Sequence, residues 1–145
     1  MALIAVNFAE ELQDWIADNY TVETLTVGQN FILGNLLDLQ DIADYLASSV
    51  SLSMYEEGGN IVRTGRRHHQ ERSIRFVFKG QYGQEAVNKT WQLLQWLEDQ
   101  KTFLSSTFRV WLARIDKLPS VIGADQDGIH LADSVVTFFV LYRTG

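Results

Sequence analysis

Between Glu71 and Asp116 the chain changes its hydrophobic period twice, and few architectures accommodate the resulting order of elements. Ile74, Phe76 and Phe78 alternate with Arg75 and Lys79, the two-residue period of a strand with one buried face, and only Val77 interrupts the polar side. Gly80 and Gly83 punctuate a turn, after which helical spacing predicts a central helix over 83–100. Val87, Trp91, Leu94 and Leu97 recur at steps of four, three and three, Ala86 and Leu93 widen the stripe, and Asn88, Gln92, Gln95 and Asp99 fall opposite. From Phe108 to Ile115 apolar residues occupy both faces, which predicts an interior strand with a helix on one side and a second cover on the other. A one-sided helix between two such strands has to lie on a sheet.

The flanks extend that unit. Phe8, Leu12, Trp15 and Ile16 form the buried stripe of a helix over 6–19, with Glu10, Glu11, Asp14 and Asp18 on its solvated face. Gly28 and Gly34 bracket a short strand at Gln29 to Leu33, and Gly34 to Ser49 reads as either a short helix or a long ordered loop, the favoured form being a loop with one helical turn. Val50, Leu52 and Met54 alternate with serines in a half-buried strand that ends at Glu56 and Glu57. Residues 60–71 have no buried pattern, and predict either an exposed basic loop or the tip of a long hairpin joining 50–55 to 73–79. Leu118 to Gly128, with the single proline Pro119, reads as a turn region, and His130 to Tyr142, apolar on both faces, as a central strand. The order predicts an α+β fold: a mainly antiparallel sheet with two helices packed on one face, in a single domain spanning 1–145. A chain of 145 residues can bury roughly 70% of its unfolded surface, so it needs no covalent staples.

Composition narrows the chemistry. The absence of cysteine removes disulfides, thiolate metal ligands and a Cys nucleophile. Glu10 and Glu11 interrupt the first apolar stretch, which is too short to span a bilayer and reads as neither signal nor anchor, so the sequence predicts a protein used inside a cell with no membrane partner. The net charge of −6 argues against general nucleic-acid affinity. Its distribution matters more than its sum. Five of the twelve basic residues (Arg63, Arg66, Arg67, Arg72 and Arg75) fall between 63 and 75 with one acid, Glu71, so a positive segment sits on an acidic body.

No catalytic set is legible: there is no Gly-rich phosphate loop and no nucleophile elbow, so the reading is a non-enzyme without cofactor or metal. His68 and His69 are adjacent and face opposite sides of a strand, so a zinc site there would need His130 and a carboxylate from elsewhere. Asp125 to Gly128 faintly resembles a calcium loop but lacks its later ligands, and suits a turn. Asn88-Lys89-Thr90, a glycosylation triplet, lies within the predicted helix. A metal-assisted hydrolase using Asp125, Asp127 and His130 is the enzymatic alternative.

Binding is the stronger signal. Arginines crowded within thirteen residues repel one another, and an acidic partner would relieve that cost; another copy of this acidic protein is one candidate and DNA is the other. Trp96 projects between Lys89 and Gln92, outside the apolar stripe, so it is either covered by another part of the chain or serves as an interface anchor.

Three stretches, ILGNLLDLQD, RFVFKGQYGQEAVNKTWQLLQWL and LPSVIGADQDGIHLADSVVTFFVLY, resemble the family of phage minor capsid or tail-terminator proteins over residues 30–142. Leu37 and Leu39 stand where such proteins tend to carry prolines, and 60–71 is more basic than the family pattern. The resemblance implies a small α+β subunit that forms a hexameric ring, closes the head-proximal end of the tail tube and joins tail to head. Its implied partners are further copies of itself, the tail tube protein, a head-completion protein and DNA passing through the bore. Its implied location is the virion tail or neck, after assembly in the host cytoplasm. Arg63, Arg66, Arg67, Arg72 and Trp96 are the expected subunit or tube contacts. The alternative is a small monomeric nucleic-acid-binding module using the basic segment 63–75, whose affinity would fall steeply with salt.

Overall fold

The computed structural model describes residues 8–34, 51–64, 67–100, 103–104, 108–124 and 130–142. In chain order these form α1 (Phe8–Asn19), β1 (Phe31–Leu33), β2 (Leu52–Thr64), β3 (Arg67–Gly80), α2 (Gly83–Asp99), β4 (Phe103–Leu104), β5 (Phe108–Ala124) and β6 (His130–Tyr142). The strands make one six-stranded sheet in the order β1-β2-β3-β6-β5-β4. Every neighbouring pair is antiparallel except β1 and β2. The fold is therefore α+β, and β6 is its central strand.

Alternation along the strands decides where the helices lie. Ile74, Phe76 and Phe78 of β3 and Val136, Phe138 and Val140 of β6 share one face, and there they form a single cluster with Phe8, Leu12 and Ile16 of α1 and Leu93, Leu94 and Leu97 of α2. Both helices thus pack on the same face. Phe138 stands edge-on to Phe8 at 5.9 Å and to Phe76 at 6.5 Å, an arrangement that places ring edges against ring faces. Each such phenylalanine removed from water contributes about 1.5–3 kcal/mol. The helix α1 is also pinned by a polar contact, in which the buried Gln13 Nε2 donates to the Phe31 carbonyl at 3.1 Å.

On α2 the buried line runs through Ala86, Thr90, Leu93, Leu94 and Leu97, rotated from the line through Val87 and Trp91 that the spacing predicted. Thr90 is tolerated inside because its hydroxyl donates to the Ala86 carbonyl at 2.8 Å. The rotation follows from a second neighbour: α2 packs on the sheet and also against α1, so its contact arc is wider than a sheet alone requires. At its start, Glu85 Oε2 reaches back to accept the Gln81 N–H at 3.1 Å. Close packing here excludes a side chain at position 80, where a Cβ would lie 2.7 Å from the Ala86 backbone nitrogen.

Three sequence expectations need correction. Residues 60–71 are not a loop in the described structure: β2 runs to Thr64 and β3 starts at Arg67, so this segment takes the form of the long hairpin. Leu118 to Gly128 is not all turn, since β5 continues through Pro119 to Ala124. A proline lacks the N–H that an inner strand needs but is acceptable on an outer one, and the register shifts between Lys117 and Ser120 accommodate it. Finally, β5 is not interior along its length. Among the described residues its outer side pairs with β4 only at Arg109 and Val110, and Leu112, Leu118 and Val121 are 43%, 62% and 47% exposed. The loop read at 34–49 falls on residues outside those described, apart from Gly34 itself.

Candidate subunit interface

The hairpin of β2 and β3 outruns the rest of the sheet. The pairing of β3 with β6 ends at Gln70 opposite Val140, whereas its pairing with β2 continues to Arg67 opposite Thr64. Beyond Gln70, among the described residues, the two strands pair only with each other. Arg63 lies opposite His68 and Val62 opposite His69 in this two-stranded arm, and Arg67 sits at its far end. Arg66 lies outside the described residues.

The remaining arginines of the basic segment are held inside the subunit. At the root of the arm a register shift between Glu56 and Gly58 marks a β-bulge, and the two successive carboxylates there meet arginines on opposite faces. On the helix-covered face Arg72 forms a two-pronged ion pair with Glu56, through Nε and, at 2.7 Å, through Nη2 to Oε2. Its Nη1 donates to Gln70 Oε1 at 2.8 Å, and its guanidinium lies 5.4 Å from the centre of the Phe8 ring. With a side chain only 14% exposed, Arg72 clamps α1 to the sheet. On the other face Arg75 pairs with Glu57 and with Asp133.

Asp133 is the centre of a charged network on that second face. Its carboxylate is fully buried and meets Arg75 on one side and Lys117 on the other. Beside it Ser73 and Thr137 hydroxyls share a hydrogen bond of 2.8 Å, Thr137 donates to Asp116, and Arg114 Nε donates to Asp116 Oδ1 at 2.7 Å. Burial opposes ionisation of Asp116, but the hydrogen bonds from Arg114 and Thr137 and the Arg114 charge outweigh it and hold this carboxyl below its ordinary range. Among the described residues this polar lattice, with a small cluster of Val77, Leu131 and Ile122, stands where a second layer was expected.

Trp96 is partly buried by its own chain. Its ring lies 5.1 Å from Trp15 and 5.1 Å from Tyr20, bridging the two helices. Burial, and after it the Glu23 charge, push the Tyr20 phenol up to about 12. A shared zinc site for the histidines is excluded by position: His130 pairs with Gly80, eleven residues along β3 from His69, about 35 Å in an extended strand. Asp125 and Asp127 lie outside the described residues, among which no three His, Asp or Glu side chains gather as metal ligands.

The signal for Asp133 was present in the sequence. A lone carboxylate in the apolar run from Leu131 to Leu141 has to find cations when it is buried, although which cations could not be read without the register. The chain matches no model of a known protein family, and no curated protein is similar to it. No helix among the described residues is long and apolar enough to cross a membrane.

Proposed function

We propose that this protein is a self-assembling structural subunit, a phage tail terminator that forms a ring at the head-proximal end of the tail tube and joins tail to head. One observation carries the reading: the basic end of the β2–β3 hairpin extends beyond β6 as a two-stranded arm. Two strands alone are marginally stable in water, so an arm of this kind gains order from whatever it lies against. Arg72 and Arg75 are neutralised by carboxylates of the subunit, and the sequence adds three further arginines, Arg63, Arg66 and Arg67, to the far end of the hairpin. The resemblance of residues 30–142 to tail-terminator proteins supplies the kind of assembly, a ring of copies whose further neighbours are the tube protein, the head-completion protein and passing DNA.

The test is native mass over a range of protein concentrations, with negative-stain imaging of any large species, for the wild type and for Arg66→Glu with Arg67→Glu. The expected result is a ring of hexamer size that dissociates in the variant. A monomer at every concentration, with or without tail tube subunits, overturns the proposal.

A further inference from the structure

The arm has a complementary surface on the same subunit, out of its own reach. Between α1 and β1 lies an open cleft of about 560 Å³, with Glu10, Gln13 and Asp14 on the helix side and Val27, Gly28 and Leu33 among the residues facing them. Glu10 and Asp14 are four residues apart, so both carboxylates stand over one stretch of the cleft. Among the described residues no lysine, arginine or histidine lines it. On the sheet, four carboxylates have cations beside them: Glu56 meets Arg72, Glu57 meets Arg75, Asp116 meets Arg114, and Asp133 meets Arg75 and Lys117. Among the described residues no cation pairs with Glu10 or Asp14. The sequence explains why, because the first 62 residues contain ten acids and no lysine or arginine. Val27 and Leu33, 42% and 40% exposed, give the cleft apolar walls.

Acidic groups above apolar walls suit an arginine, whose stem packs on hydrocarbon while its guanidinium meets carboxylate. The subunit's own arm points away. Leu33 pairs with Met54, and Thr64 at the end of the arm lies ten residues further along β2, about 30 Å in an extended strand. Two complementary patches at opposite ends of one strand join different copies, each giving an arm and receiving one. Such a head-to-tail contact closes into a ring when the rotation between copies allows.

We infer that the β2–β3 arm of one copy, made basic by a sequence that includes Arg63 and Arg67, seats in the acidic cleft between α1 and β1 of the next copy. This rests on the self-assembly reading and names its interface. Charge reversal tests it in the full chain. Glu10→Lys with Asp14→Lys reverses the cleft, Arg63→Glu with Arg67→Glu reverses the arm, and a fourfold variant carries both. Analytical ultracentrifugation measures assembly, and circular dichroism melts show that each variant is folded.

Each double variant should raise the concentration for half-assembly about tenfold or more, and the fourfold variant should return it towards the wild-type value, because like charges oppose docking and swapped charges restore it. Rescue in the fourfold variant supports the pairing, since damage to folding does not cancel in this way. Wild-type assembly that persists unchanged in the Glu10 and Asp14 variant overturns the cleft as the docking site while leaving the ring reading intact. Loss in both double variants without rescue overturns direct contact between the two patches. A monomeric wild type overturns both the interface and the reading beneath it.

Discussion

The two faces of the sheet are both buried at β6, yet they are held by different forces. Val136, Phe138 and Val140 meet two helices through hydrocarbon alone, while Asp133 and Thr137, one residue out of phase, meet Arg75, Lys117, Ser73 and Asp116. The apolar face tolerates no particular partner so long as volume is filled, whereas the polar face requires a named donor or acceptor at each position. A strand with a continuous run of buried residues can therefore carry two unlike chemistries, sorted by parity.

The strongest way to break the comparison is on the apolar side. Phe138→Ala empties the space between Phe8 and Phe76 and should cost about 3–5 kcal/mol, measured by chemical denaturation. A loss below about 1 kcal/mol would mean that α1 is not anchored there. On the polar side, Asp133→Leu leaves Arg75 and Lys117 facing each other and should cost about 2–4 kcal/mol, reduced from the fully buried case because both cations reach solvent. Adding Arg75→Met and Lys117→Met should recover much of that loss if the network contributes specificity more than stability. No recovery would assign the loss to packing around Leu131 and Val135.

Arg72 tests the exception, a charge on the apolar face. Arg72→Met keeps the stem over Phe8 but removes the pair with Glu56, and should cost about 1–3 kcal/mol, with Glu56→Gln in the same range and the two losses less than additive in the double variant. The smallest effect is in acid. Because the Asp116 carboxyl is held below its ordinary value, the stability it contributes is complete above the usual carboxylate range and is lost as the pH falls through the lowered value. Thr137→Val removes one of the bonds that lower it, so the variant's melting temperature should fall less than the wild type's between about pH 4 and pH 2. Parallel acid titrations of the two proteins would expose a shared slope, which would take Thr137 out of the coupling.

Much of the architecture could be read locally. The strand at Ile74 to Phe78, both helices, the centrality of His130 to Tyr142 and the α+β class all follow from periods of two and of 3.6, which depend on neighbours in sequence. The candidate interface was half legible: charge marked the arginine segment, while its hairpin form was one of two readings that the same residues allowed.

Sequence by itself determined which stretches carry a buried face and where the positive charge was concentrated. Tertiary structure alone decided what each charge meets, because Arg75 reaches Asp133 across 58 residues of chain and Arg72 finds Glu56 through the register of β2 on β3. It also decided that Pro119 could stand in a strand, since among the described residues the outer side of β5 pairs only with the two-residue β4, at Arg109 and Val110. Periodicity records the geometry of one element, whereas ion pairs and sheet edges are properties of how elements are placed side by side.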